Sequence, residues 1–269
     1  MESKTKKPAV PKLFFMITCV LTVTAILIQT VLFINYYDEN LNLYKTEITG
    51  IPKIFYMAIF ISSLFCAASY FAINENERTK ILPTTDRFVV FASILSGFQL
   101  SAAVLFNIYY YLTRIYTGIT LLRIAVLITA VPAAAYFIVT AFARRPKEKA
   151  LIICGFFTII WAALYLMCVY FDMSSPLNSP VRILEQLSLI IIMLYFVFEV
   201  RFLLLKPRPR LYLPVSLLSV LFIYLSSVPD LILTFAGFRA STQDTVFGIT
   251  QAAVAIYITA RVRSFIMDT

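Results

Sequence analysis

Two carboxylates on one stretch of chain are the groups best placed to do chemistry in this sequence. Glu185 and Glu199 both fall within the apolar run from Ile183 to Leu205 and are 14 residues apart. That is about four turns of α-helix, so they share a face. Ser188, Ile192 and Tyr195 lie on the same side, making a mainly polar seam about 21 Å long at about 1.5 Å per residue. A seam of this kind is penalised against lipid and is expected to face the interior of a bundle. Arg201 is two residues from Glu199 and projects to a different side of the helix. The partner of Glu199 is therefore expected from another helix, with Arg261 and Arg263 as the candidates.

Two further charges lie in or at the ends of apolar runs. Arg123 sits about one turn inside its run, a depth from which a long side chain can snorkel to the interface. Asp230 follows Pro229 near the close of the run from Leu211 to Leu231, where a helix terminus is expected rather than an ion site. Glu185, Glu199, Arg201, Arg123 and Asp230 are thus the candidate ligand-binding or ion-pair residues, with either a structural or a transport role open to them.

Other chemistries find little support. The chain has no histidine, which removes the commonest metal ligand and the usual acid–base group near neutral pH. Cys19, Cys66, Cys154 and Cys168 lie inside apolar runs without the close pairing of a zinc or redox site and are expected to be buried thiols. There are no grouped acidic ligands and no glycine-rich phosphate loop. Neither an enzyme nor a bound cofactor or metal is expected.

The elements that must position these residues are membrane spans. Of 269 residues, 61% are hydrophobic and 14% charged, with a mean hydropathy of +0.86; soluble domains have about 45–50% apolar and about 25% charged residues. Runs long enough to cross about 30 Å of hydrocarbon extend from Leu13 to Tyr37, Ile54 to Ile73, Phe88 to Leu112, Ile119 to Ala143, Ala150 to Phe171, Ile183 to Leu205, Leu211 to Leu231 and Thr245 to Arg261. The last is the shortest and carries Gln251. The first is too long for the apolar core of a secretory signal and is expected to be retained. The fold class expected is an all-α, polytopic transmembrane bundle of about eight spans. A basic N-terminal segment, 1–12, would precede one transmembrane domain, 13–265.

Lysine and arginine in short connections orient such a bundle, because they are held on the cytoplasmic side. With the N-terminus inside, the inner segments hold 17 of the 23 basic residues. They include Lys4 to Lys12, Arg78 to Arg87, Arg144 to Lys149, Arg201 to Arg210, and Arg261 with Arg263. Both termini are therefore expected in the cytoplasm of a cell-membrane protein whose basic face meets anionic lipids. The net charge of +9 needs no nucleic acid to explain it, since no binding module is present. Tyr36, Tyr37, Tyr109, Tyr110, Tyr111 and Tyr116 gather at outer helix ends, where aromatic rings anchor at headgroup level.

The halves 13–143 and 150–263 share an outline that suggests tandem four-helix repeats: Tyr36-Tyr37-Asp38 matches Tyr170-Phe171-Asp172. Two such copies would be related by an axis along the membrane normal. Ser93, Gly97 and Ser101 recur every four residues, a small-residue pattern that lets helices approach closely. Pro132 is expected to kink the fourth span. Two function classes follow. The favoured one is a permease for a small-molecule solute or ion; the other is a non-catalytic sensor or assembly subunit working with a membrane-protein partner or a further copy of the chain.

Tags at both termini, and cysteines placed between Arg144 and Lys149, should resist impermeant labels in intact cells, whereas cysteines at Ser175 or Thr242 should react. External labelling of the C-terminal tag alone would remove one span.

Overall fold

The computed structural model describes residues 9–38, 41–45, 50–73, 86–113, 121–142, 149–172, 176–238 and 243–268. Helix α1 runs over Ala9–Tyr36, followed by a short antiparallel hairpin of β1 (Tyr37–Asp38) and β2 (Leu43–Tyr44). Helix α2 covers Gly50–Ala68 and is prolonged by a 3-10 turn over Ser69–Ala72. The remaining helices are α3 (Arg87–Thr113), α4 (Leu121–Phe142), α5 (Lys149–Phe171), α6 (Pro180–Leu203), α7 (Pro209–Phe235) and α8 (Gln243–Asp268). Among the described residues, eight helices are long and apolar enough to cross a membrane, so the protein is an all-α, multi-pass integral membrane protein. Helix is the form that satisfies every backbone group within one segment where no water is available.

Helices α3 to α8 form a ring in which each packs along its neighbour and α8 closes back onto α3. Helices α1 and α2 lie outside this ring and both pack on α7. The neighbour order of the tandem halves expected from the sequence is therefore not reproduced: α5, α6 and α7 pack in succession, whereas α1 and α2 meet mainly through α7. The matching aromatic–aspartate signatures mark similar helix ends, not similar packing.

Burial explains the uneven apolarity of the spans. Helices α7 and α8 are the most deeply buried and α8 is the least apolar, while α2 is the least buried. A helix surrounded by protein can carry polar side chains that a lipid-facing one cannot. Thus α8 is a full span, longer at both ends than expected, and Gln251 is buried within reach of Ser226 Oγ on α7, 3.4 Å away.

Two helix ends shape the ring locally. After α6, Leu205 takes a left-handed conformation (φ 57°), while the Leu205 N–H reaches Phe202 O and the Lys206 N–H reaches Arg201 O. This closing turn usually employs glycine. Pro209 then starts α7, where its fixed φ suits a first turn, so α6 and α7 become close antiparallel neighbours. At the other end α7 runs past Pro229 to Phe235 and closes on Gly237 (φ 77°). The helix terminus expected at Pro229 and Asp230 is thus displaced by about five residues. Stopping at the proline would have left backbone groups unsatisfied at membrane depth, a larger cost than one missing hydrogen bond. Pro132 likewise lies inside α4, which continues on both sides of it.

The small-residue stripe on α3 is a packing surface. A Cβ added to Gly97 would fall 2.7 Å from Ile138 Cγ1 and 3.2 Å from the Ala134 carbonyl oxygen on α4. Across the other side of α3, Ser96 Oγ donates to Ala253 O on α8 at 2.8 Å. Of the four cysteines only Cys66 is fully buried; Cys19, Cys154 and Cys168 are half-buried. The expectation of four buried thiols therefore holds fully for one of them, while Cys154 and Cys168 pack against the core with part of their surface exposed.

Gly97→Val should lower the thermal stability of the detergent-solubilised protein by about 1–3 kcal/mol, the usual cost of overpacking. Gly50→Ala, where an added Cβ meets nothing within 4 Å, should leave the melting temperature unchanged.

Candidate functional site

The site is assembled from one end of the ring, the end where α6 finishes and α8 approaches its last turns. Glu199 lies four residues before the end of α6, about 6 Å along the axis. Its side chain is fully buried, as is that of Arg261 on α8. Arg261 Nε donates to Glu199 Oε1 at 2.8 Å, and the Tyr257 hydroxyl, one turn earlier on α8, donates to the same oxygen at 2.6 Å. The Arg261 Nε also lies 3.0 Å from the Tyr257 hydroxyl, and its guanidinium carbon is 5.5 Å from that ring's centroid. The contact is therefore single-oxygen, not the two-pronged arginine–carboxylate fork. Among the described residues, Glu199 Oε2 has no hydrogen-bond partner.

Aromatic side chains from four helices enclose this pair. The Tyr136 hydroxyl on α4 is 3.4 Å from that of Tyr257. Tyr195 on α6 and Tyr212 on α7 lie hydroxyl to hydroxyl at 3.2 Å. Phe137 and Phe196 pack edge-to-face at 5.7 Å and both stand against Tyr257. Nearer the helix ends, Phe202, Tyr212 and Phe265 form a three-ring cluster with centroids 4.9–6.1 Å apart. Phe202 is three residues beyond Glu199 and Phe265 four beyond Arg261, so each lies about one turn closer to the helix ends and covers the pair there. Gly155 on α5 makes room for this assembly. A Cβ at that position would fall 2.8 Å from Val200 Cγ2 and 3.3 Å from Tyr136 Cε2.

The remaining candidates are distributed elsewhere. Glu185 occupies the same face of α6 but is only half-buried, and it accepts a hydrogen bond from the Tyr165 hydroxyl on α5 at 2.9 Å. Between it and Glu199, Leu189 and Ile192 are fully buried, so the seam is two polar stations separated by apolar packing. Arg201 turns away from Glu199, and its Nε reaches the Lys206 carbonyl at 3.4 Å, closing the end of α6. Arg123, near the opposite end of the ring, is half-buried against Tyr111 and Asp172. Asp230 is half-buried on α7, 18 residues beyond Tyr212, about 27 Å along the axis. Glu199, Arg123 and Asp230 therefore do not line one cavity; helix length keeps them at opposite ends.

The partner tyrosines Tyr136, Tyr212 and Tyr257 were not distinguishable by type alone from interfacial anchors. A four-residue spacing of Tyr257 and Arg261 on the least apolar span was the available signal. Buried Arg182 was also missed; it donates to the Tyr170 carbonyl at the end of α5. At the end of the bundle where α1 finishes, Tyr37, Tyr44 and Tyr56 gather beside α1, with Tyr44 Oη 3.1 Å from Tyr56 Oη and 3.4 Å from Gln29 Nε2. Burial pushes the Tyr44 phenol above its ordinary range, which keeps it neutral. No family model, curated protein or solved structure matches this chain.

Glu199→Gln and Arg261→Met made singly should each cost about 3–5 kcal/mol, because each leaves a buried group without its partner. Combined, they should recover most of that loss, which a thermal-unfolding double-mutant cycle in detergent would measure. Strict additivity would show that the two groups are not coupled.

Proposed function

We propose that this protein is a permease-like carrier of a small polar solute or ion in the cell membrane, with the Glu199–Arg261 pair as its coupling site. The reading is supported above all by the incompleteness of that pair. A buried ion pair returns its desolvation cost only when the remaining lone pairs and protons are satisfied, and an unmatched buried acceptor costs about 1–3 kcal/mol. A purely structural bridge would be expected to fill that oxygen. An acceptor left open within a ring of spans suits a group whose partner changes during a cycle.

The setting favours the same reading. Pro132 in α4 and Pro214 and Pro229 in α7 interrupt the backbone ladders of two ring helices, and broken ladders are where spans of transporters bend. Glu199 and Arg261 are buried at a contact between two spans, where an ionisable group by default suggests function. In this reading the protein is not an enzyme and needs no cofactor. The basic end faces the cytoplasm and its anionic lipids, and the small-molecule ligand approaches within the ring.

Reconstituted protein on a solid-supported membrane should give transient currents after concentration jumps of particular small polar solutes or cations. The Glu199→Gln/Arg261→Met double variant should lose them while unfolding at a similar temperature. Currents of wild-type size in a folded double variant would refute the coupling role. Silence of the wild type towards every solute class would favour a sensor or assembly subunit.

A further inference from the structure

We infer that the turn joining α6 to α7 is a seat for the phosphodiester headgroup of an anionic phospholipid, drawn from the leaflet at that end of the bundle. It narrows the lipid contact of the carrier reading to one site and rests on that reading only for which leaflet supplies the lipid. Arg201, Lys206, Arg208 and Arg210 fall within ten residues, and no acidic residue occurs between Glu199 and Asp230. Two of the four hold the turn in shape. Arg201 Nε lies 3.4 Å from the Lys206 carbonyl oxygen, and Arg210 Nε donates to the Ile73 carbonyl oxygen at 3.0 Å with its guanidinium carbon 5.9 Å from the Tyr70 ring centroid. The other two, Lys206 and Arg208, are exposed and form no ion pair among the described residues. Pro207 and Pro209 flank Arg208, and their fixed φ limits how far the chain there can move.

The apolar part of the same turn points to a lipid and not to a soluble anion. Leu204 and Leu205 are 44% and 47% exposed beside these cations. Leu205 takes φ 57°, a left-handed backbone that strains a residue with a Cβ and that glycine adopts freely. Glycine would close α6 with less strain, and Leu205 has little burial in the protein to offset it. A half-exposed leucine at such a position finds its apolar surroundings in the acyl region of the bilayer, while long cationic side chains beside it reach back to headgroup level. Arg208 can fork onto two phosphate oxygens and Lys206 can approach as a point charge. A free phosphate would meet the same cations but leave both leucines in water. The seat also bears on the interior, since Phe202 in the last turn of α6 packs on Tyr212 and Phe265 over the Glu199–Arg261 pair. A bound headgroup therefore steadies the cover of that pair.

Native mass spectrometry of the full chain in detergent, titrated with phosphatidylglycerol or with phosphatidylcholine of the same acyl chains, tests this. Wild type should retain phosphatidylglycerol preferentially. Lys206→Gln/Arg208→Gln should weaken that binding about 30-fold, roughly fivefold for each cation at an anionic surface, whereas Lys149→Gln at the exposed start of α5 should leave it unchanged. Leu205→Gly should also bind phosphatidylglycerol more weakly, yet melt without lipid at a temperature no lower than wild type. Equal retention of the two lipids by wild type, undiminished retention in the double variant, or an equal loss from Lys149→Gln would overturn the proposal. Displacement of phosphatidylglycerol by an equal concentration of inorganic phosphate would mark a soluble-anion site and overturn it as well. The carrier reading is scored separately by the solute-evoked currents: selective retention without currents keeps the seat and ends that reading, whereas currents without selective retention end the seat alone.

Discussion

The interior of this bundle depends on keeping one carboxylate and one guanidinium together where neither can reach water. An isolated charge at such a site would carry a desolvation penalty of several kcal/mol even after relaxation, a sizeable part of the total stability of a domain. The arrangement around Glu199 and Arg261 follows from that constraint. Tyr257 adds a second donor to the loaded oxygen, Tyr136 and the Tyr195–Tyr212 couple supply oriented hydroxyl dipoles, and Gly155 allows α5 to close over them. A polar cluster in low dielectric is strong when satisfied and costly when not, and within this cluster Glu199 Oε2 is left without a hydrogen-bond partner among the described residues.

The helices are ordered around this cluster. Those that contribute its polar atoms, α4, α6, α7 and α8, belong to the closed ring, while α1 and α2 remain at the side of α7. Exposed apolar residues such as Leu13, Met16, Val20 and Leu27 on α1 suit a lipid-facing surface. Polar contacts at the opposite end, Glu185 with Tyr165 and Arg123 with Tyr111 and Asp172, link α3, α4, α5 and α6 separately. Among the described residues the bundle thus has two polar ends joined by apolar packing at Leu189 and Ile192.

The spans were legible in the sequence because a bilayer leaves helix as the form available to a long apolar run. The faces of α6 were legible for a related reason: helical spacing puts Glu185 and Glu199 together and turns Arg201 away, which left the arginines near the end of α8 as partners for Glu199. What the sequence did not reveal was the neighbour order. Apolar helices of similar composition can pack in many arrangements, so the repeated aromatic–aspartate ends said nothing of how α1 and α2 sit. Nor did it reveal which tyrosines are anchors: Tyr109 is exposed while Tyr212 and Tyr257 are buried, and the difference lies in helix rotation. Pro229 misled because a proline ends a helix in water more readily than in lipid.

The most direct measurement is a solid-state NMR distance between the Glu199 side-chain carboxyl carbon and Arg261 Nε, in protein labelled with carbon-13 glutamate and nitrogen-15 arginine and held in lipid bilayers. The two nuclei flank the 2.8 Å contact between Nε and Oε1. Strong magnetisation transfer between them, lost in Arg261→Lys, is the result expected. Resolved signals from both residues with no transfer between them would show that α6 and α8 are not joined by this pair.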